Sequence, residues 1–270
     1  MRTGLKIIAT IFFMILIVPA GFAHGPDRHS DGQKPGQQGH PDGGKPHGGH
    51  HGYGHRKGPP ADIPAHIKQR TSPDGTAINL NGSQVGLQGM VFMAEFPLLK
   101  NVTSMALKGN RFGDEGVKIL AESGTFQHLE HLSLWDNHIT AAGGKMIARS
   151  QNFTNLKELN LMGNGLGDAG AIALVESPNV SRLTFLDLSA NGLGDAAAIA
   201  IANSPHLARI KRLELFKNQI GPRGVKALVQ SKHLQNLEYL DLTRNALDFD
   251  TAQSLAKETS LPKLKILILY

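Results

Sequence analysis

Seven histidines lie between residues 24 and 55, at His24, His29, His40, His47, His50, His51 and His55, and they are the densest set of potential ligands in the chain. Neutral imidazole suits Zn, Ni or Cu(II). The run PHGGHHGYGH crowds His47, His50, His51 and His55 enough for several to meet one ion, with His40 completing the set. The spacing is irregular, and no His-plus-carboxylate group of fixed geometry accompanies it. Three readings follow: weak, adaptable metal capture, a polar tail that binds nothing, or a segment that turns cationic as imidazoles of pKa about 6.5 take up protons. Apart from weak Zn, Ni or Cu binding there, no cofactor is implied. Elsewhere catalysis finds little support. There is no GxSxG and no HExxH, and His128 and His131 stand three apart at a strand start, where alternation sends them to opposite faces; His138 follows a turn. The absence of Cys excludes disulfides, thiolate metal sites and thioester chemistry. A non-catalytic protein is expected.

What must position any site is a repeat. The Asn of LxLxxN recurs at Asn110, Asn137, Asn164, Asn191, Asn218 and Asn245, one every 27 residues, with Ser83 one period earlier. A strand, a turn and a helix fill each period. One such coil cannot bury its apolar side alone, so the sequence specifies a stack. Leu156, Leu159, Leu161, Leu166 and Leu174 are the inward set of one coil; Leu183, Leu186, Leu188, Leu193 and Ile201 are the next. The Asn column can serve unpaired backbone groups of neighbouring coils as donor and acceptor together. Gly116, Gly143, Gly170 and Gly224 are expected to let each helix lie close to the strand layer. In the pairs Gly113-Asp114, Gly167-Asp168 and Gly194-Asp195, the Asp is placed to cap its helix or meet the helix dipole. A phosphate loop is a poor alternative, because the pattern follows the fold period and lacks the Lys-Ser/Thr of a P-loop.

Composition divides the chain into four. Residues 1–23 carry Arg2, Lys6, an apolar run from Ile7 to Val18 and the small-residue pattern Gly21-Phe22-Ala23. That reads as a signal peptide cut after Ala23, too short to span a bilayer of about 30 Å, so no stable membrane insertion follows cleavage. Residues 24–60 hold eleven Gly, six Pro and seven His in 37 positions and cannot bury enough surface to offset the entropy of ordering, so a disordered segment is expected. Residues 61–75 lead into the repeats, which fill 76–270. A secreted or periplasmic location follows. Of the formal charge of +6, +2 falls on residues 1–23 and +2 on 24–75, which leaves +2 on the repeats with no arginine-rich stripe, so nucleic acid is not the implied partner.

The phrase LxxLxLxxNxLGDxGAxALxxS resembles the ribonuclease-inhibitor-like class of leucine-rich repeats, over residues 76–270. The resemblance implies an α/β solenoid of about seven coils plus a final strand, with a curved parallel sheet on the concave side and helices on the convex side. It also implies protein recognition on the concave strands. Members of the class include regulators of small GTPases, which makes such a role a further alternative; an export signal argues against it. The final strand would leave Leu267-Ile268-Leu269-Tyr270 as an open edge that invites self-association.

Residues between the inward leucines must project from the sheet. They supply an apolar band, Trp135, Met162, Phe185, Phe216 and Tyr239, which a solvated face does not need. Beside it Asp187, Glu214 and Asp241 fall in one column on adjacent strands, about 4.8 Å apart. Like charges so placed repel, which points to a cationic partner, unless Arg212, Lys217 and Arg244 balance them. With His131 and Glu158, these residues form the candidate ligand-binding surface: His131, Trp135, Glu158, Met162, Phe185, Asp187, Arg212, Glu214, Phe216, Tyr239, Asp241 and Arg244. The leading expectation is an exported protein that binds a protein ligand there. The alternative is a metal-buffering His-rich tail on an inert scaffold.

Overall fold

The computed structural model describes residues 6–7 and 58–270. The proposed cleavage site, residues 24–57 of the segment expected to be disordered, and the candidate ligands His40, His47, His50, His51 and His55 all lie outside the described residues. Within 58–270, α1 (Ile63–Arg70) precedes eight strands alternating with seven helices: β2 (Ala77–Asn79), α2 (Gly86–Glu95), β3 (Ser104–Ala106), α3 (Gly113–Glu122), β4 (His131–Ser133), α4 (Ala141–Arg149), β5 (Glu158–Asn160), α5 (Gly167–Val175), β6 (Phe185–Asp187), α6 (Asp195–Asn203), β7 (Arg212–Glu214), α7 (Pro222–Val229), β8 (Tyr239–Asp241), α8 (Phe249–Lys257) and β9 (Ile266–Ile268). All strand pairs are parallel, and each neighbour sits 27 residues on, as in Leu159↔Leu186 and Leu186↔Leu213. The 27-residue solenoid expected from the Asn spacing is the fold.

The leucine ladder is buried from Leu80 to Leu269 as one continuous core. Short parallel strands at this spacing leave polar backbone at every strand exit, and the Asn column meets it. Asn164 Oδ1 accepts from the amides of Asn137 and Ile139, both at 3.0 Å, while its Nδ2 donates to the carbonyls of Leu134 and Leu161 at 3.0 and 2.9 Å. Asn218 does the same for Asn191, Leu193, Leu188 and Leu215. Ser83 is too short for this task and instead meets Nε2 of His66 on α1 at 2.9 Å. A second polar ladder runs at the helix ends. Ser150 and Ser177 donate to the carbonyls of Ala121 and Ala148 at 2.8 and 2.5 Å, and Ser123, Ser204 and Ser231 donate to those of Ala94, Val175 and Ala202. The closing S of the repeat phrase marks it, although its task is visible only once the helices are stacked.

Three expectations need correction. The Asp of each Gly-Asp pair stands in the first turn of its own helix, where it meets the dipole as expected, but what it caps is the following coil's helix: Asp114 Oδ1 accepts from Thr140 and Gly143 at 2.8 and 3.0 Å, and Asp195 Oδ1 from Gly221 and Gly224 at 2.7 and 2.9 Å. Asp168 serves Gly194 and Ala197 likewise. Second, the helix glycines make room for these neighbours and not for the strand layer. A Cβ on Gly143 would stand 2.4 Å from Asp114 Oδ1, one on Gly224 2.7 Å from Asp195 Oδ1, and one on Gly170 3.0 Å from Cα of Ala141. At Gly116 the obstacle is Phe112 of its own coil. Third, in the full chain the edge at β9 is not open, because β1 (Lys6–Ile7) pairs with it in parallel, Lys6 opposite Ile266; the expected cleavage after Ala23 would remove that strand and open the edge.

One corner of the coil is held in the left-handed region in every period. The residue before the Asn column has positive φ at Gly82, Gly109, Asp136, Gly163, Ala190, Lys217 and Arg244. Four of these seven are not glycine, so this corner carries backbone strain wherever it carries a side chain.

Asn191 is 2% exposed; its Nδ2 donates to the carbonyls of Leu161 and Ser189, and its Oδ1 accepts from Leu166. Asn191→Ala would strand these groups in the core, and chemical denaturation should register a loss of about 2–4 kcal/mol. A loss under about 0.5 kcal/mol would show that neighbouring groups or water take over.

Candidate functional site

The sheet face opposite the leucine layer is set by strand register. The last strand residues Asn160, Asp187, Glu214 and Asp241 are direct cross-strand partners, so the acidic column exists as the spacing requires. The apolar band does not form one line. Phe185 and Tyr239 open their strands, whereas Trp135, Met162 and Phe216 lie beyond the strand ends, and the acids run between the two sets. None of the five aromatic or Met side chains is fully exposed.

Cations lie against the aromatics. Lys108 Nζ stands 3.4 Å from the ring centre of Trp135, and the Arg212 guanidinium lies 4.3 Å from that of Tyr239 and 5.8 Å from that of Phe185. Arg244 approaches Phe216 at 5.6 Å. Each pairing sets positive charge toward the electron-rich face of a ring. Arg212 also donates through Nε to Glu214 Oε1 at 2.5 Å, while His131 Nδ1 lies 3.1 Å from Glu158 Oε2 on the next strand. Of the three cations that the sequence offered to balance the column, Arg212 engages it, and among the described residues Lys217 and Arg244 form no ion pair with it. Asp187 Oδ1 accepts the amide of Ser189 at 2.9 Å and Asp241 Oδ1 that of Thr243 at 2.8 Å; Asn79 and Asn160 accept the amides of Asn81 and Met162 in the same way. A neutral side chain performs this task as well as a charged one. The acids therefore do not by themselves demand a cationic ligand.

His128 borders a shallow depression of about 360 Å³ with Asn101, Thr103, Glu130 and Asn155, and His138 borders another of about 370 Å³. His131 lines neither. Among the described residues no group of three or more His, Asp or Glu could hold a metal ion, and no helix is long and apolar enough to cross a membrane.

The Leucine Rich repeat family pattern matches six successive segments: 99–121, 127–148, 154–175, 182–202, 208–229 and 233–256. The chain is a leucine-rich repeat protein. Among solved structures this repeat protein is similar to an internalin from Listeria monocytogenes, at 22% identity over 66% of this chain and 50% of that one, with a TM-score of 0.42. It is also similar to internalin C2 of the same organism, at 19% identity over 72% of this chain and 80% of that one, with a TM-score of 0.45. The chain thus spans half the length of the first of these. No curated protein matches the sequence.

On the face of this leucine-rich repeat protein, burial governs the acids. Asp187 is only 3% exposed, and loss of hydration, followed by the neighbouring charge of Glu214, pushes its carboxyl up to about 7; the Ser189 amide and hydroxyl and Arg212 pull the other way. The Ser189 hydroxyl lies close enough to act on that carboxylate, although its own geometry falls short of a full hydrogen bond. Burial also raises Glu214, against the pull of Arg212, and it pushes the Tyr239 phenol up to about 12 with the help of Asp241 and Glu214.

Because Asp187 holds its proton to higher pH when folded than the roughly 3.9 of an unfolded chain, the native state binds more protons in between. Its contribution to stability therefore falls as pH rises from about 4 to about 7 and is level above that. Asp187→Asn keeps the amide acceptor and removes the titration. Denaturation at pH 5 and pH 8 should show the variant gaining on the parent by at least about 1 kcal/mol at the higher pH. An equal difference at both pH values would contradict the assigned shift.

Proposed function

We propose that this protein is a non-catalytic binding scaffold that recognises a protein ligand through the sheet face, with Trp135, Met162, Phe185, Phe216 and Tyr239 as apolar anchors. The observation that carries the reading is the concentration of aromatics on a rigid parallel sheet whose own core is already filled. Rings are not required there for stability, and half-buried aromatic and Arg side chains are the groups that dominate protein interfaces. His131, Glu158, Arg212 and Arg244 contribute the polar margin. The reading includes export: residues 1–23 have the composition of a cleavable leader, and a Cys-free chain suits a bacterial envelope or medium. It also includes the bacterial, ribonuclease-inhibitor-like variety of the repeat, for which the LGDxGAxAL phrase speaks.

The experiment is affinity capture with the immobilised protein beside its Trp135→Ala/Phe216→Ala variant. The parent should retain a protein that the variant loses by at least about tenfold, with the variant's thermal transition unbroken. Equal retention by a folded variant removes the sheet face from recognition.

A further inference from the structure

The chemistry of the partner follows from which charges on this face are already engaged. Every acid on the strands from β5 to β8 has an internal partner: Glu158 with His131, Asp187 with the Ser189 amide, Glu214 with Arg212, and Asp241 with the Thr243 amide and hydroxyl. Lys108, Lys217 and Arg244 differ. Among the described residues none of the three has a carboxylate within ion-pair distance, and Lys108 and Arg244 are held over rings, which leaves their hydrogen-bonding capacity unspent. Lys217 and Arg244 are exposed at the left-handed corner, where Asp136 is the single acid.

The arrangement along that margin is specific. The cation of Lys108 lies over the ring carried by β4 and that of Arg244 over the ring beyond β7. Three inter-strand steps separate them, roughly 14 Å. Between them lie Met162 and the rims of Trp135 and Phe216, and the one exposed carboxylate of this margin, Asp136, stands at the Lys108 end. We infer that the sheet face takes an extended acidic segment, with carboxylates at both ends of a short apolar stretch. Its acids would meet Lys108 at one end and Arg244 with Lys217 at the other, while its apolar centre covers Met162 and the two rings. In an extended chain, four residues cover that span at about 3.3 Å each. A cationic partner would meet these three side chains first, and the acids on β5 to β8 that could attract it are already engaged with His131, Arg212 and backbone amides. This inference rests on the reading of the sheet face as the recognition surface and adds the sign and spacing of the partner's charges.

Trp135 is the only Trp in the chain, so intrinsic emission reports directly on this face. Two synthetic peptides serve as probes of the full-length protein: acetyl-Glu-Glu-Leu-Val-Leu-Glu-Glu-amide and its counterpart with Lys at every Glu. The acidic peptide should shift or quench the emission saturably. Lys108→Gln/Arg244→Gln should weaken that response at least tenfold, whereas Lys118→Gln/Lys145→Gln, on the helix layer, should leave it unchanged. A response to the lysine peptide alone, equal weakening by both pairs of substitutions, or no response to either peptide would overturn the inference. Capture that still depends on Trp135 and Phe216 would then show that the face binds a partner of other chemistry. Loss of both results would take the recognition surface down with it.

Discussion

The structure depends on a hydrogen bond that no single coil can make. Three-residue strands in a parallel stack expose amides and carbonyls at the turn, where burial without partners would cost on the order of 1–3 kcal/mol for each group. One amide side chain per period supplies both a donor and an acceptor there: its oxygen serves the coil before its own, and its nitrogen bonds one carbonyl of that coil and one of its own. The serine ladder at the opposite end of the helices and the Asp caps passed from one coil to the next obey the same rule. Stability is thereby written into contacts between periods, which is why the period tolerates no slip.

This division of labour leaves one surface with different obligations. The leucine layer, the turn and the helix starts are each occupied by an inter-coil task, but the sheet face has only to supply an acceptor for an amide two residues on. Asn79, Asn160, Asp187 and Asp241 all meet that need. Where the chain uses Asp, and adds Glu214 between two of them, charge is buried beyond what the amide requires. Arg212 answers it by bonding Glu214 while lying against Tyr239 and Phe185. That side chain links three strands and makes the centre of the face a network whose protonation follows pH.

Much of this was legible in the sequence. A fixed 27-residue interval with LxLxxN at its head gave strand register, inward positions and the neighbours Asp187, Glu214 and Asp241, because period alone decides them. What could not be read was direction. Asp114 and Asp195 are spaced to serve either their own helix or the next, and only the offset between coils selects the second. Trp135 and Phe216 could be assigned to the face but not their coverage by Lys108 and Arg244, because a flexible side chain reaches across strands in ways that alternation does not determine. The same gap hid the inward engagement of the acids, and so the sign of the charge that the surface offers.

The left-handed corner before each Asn is glycine in the coils of Gly82, Gly109 and Gly163, and it carries Ala190, Lys217 and Arg244 in the last three. No leucine, asparagine or capping Asp occupies that place, so its identity can change without disturbing the ladders on either side. It is strained for any residue with a Cβ, yet it aims what it holds at the margin of the sheet face. A lineage of such chains could therefore diversify what it recognises at one position per turn while its architecture stayed constant. The last three coils of this stack carry a side chain at that corner, and of the coils before them only that of Asp136 does.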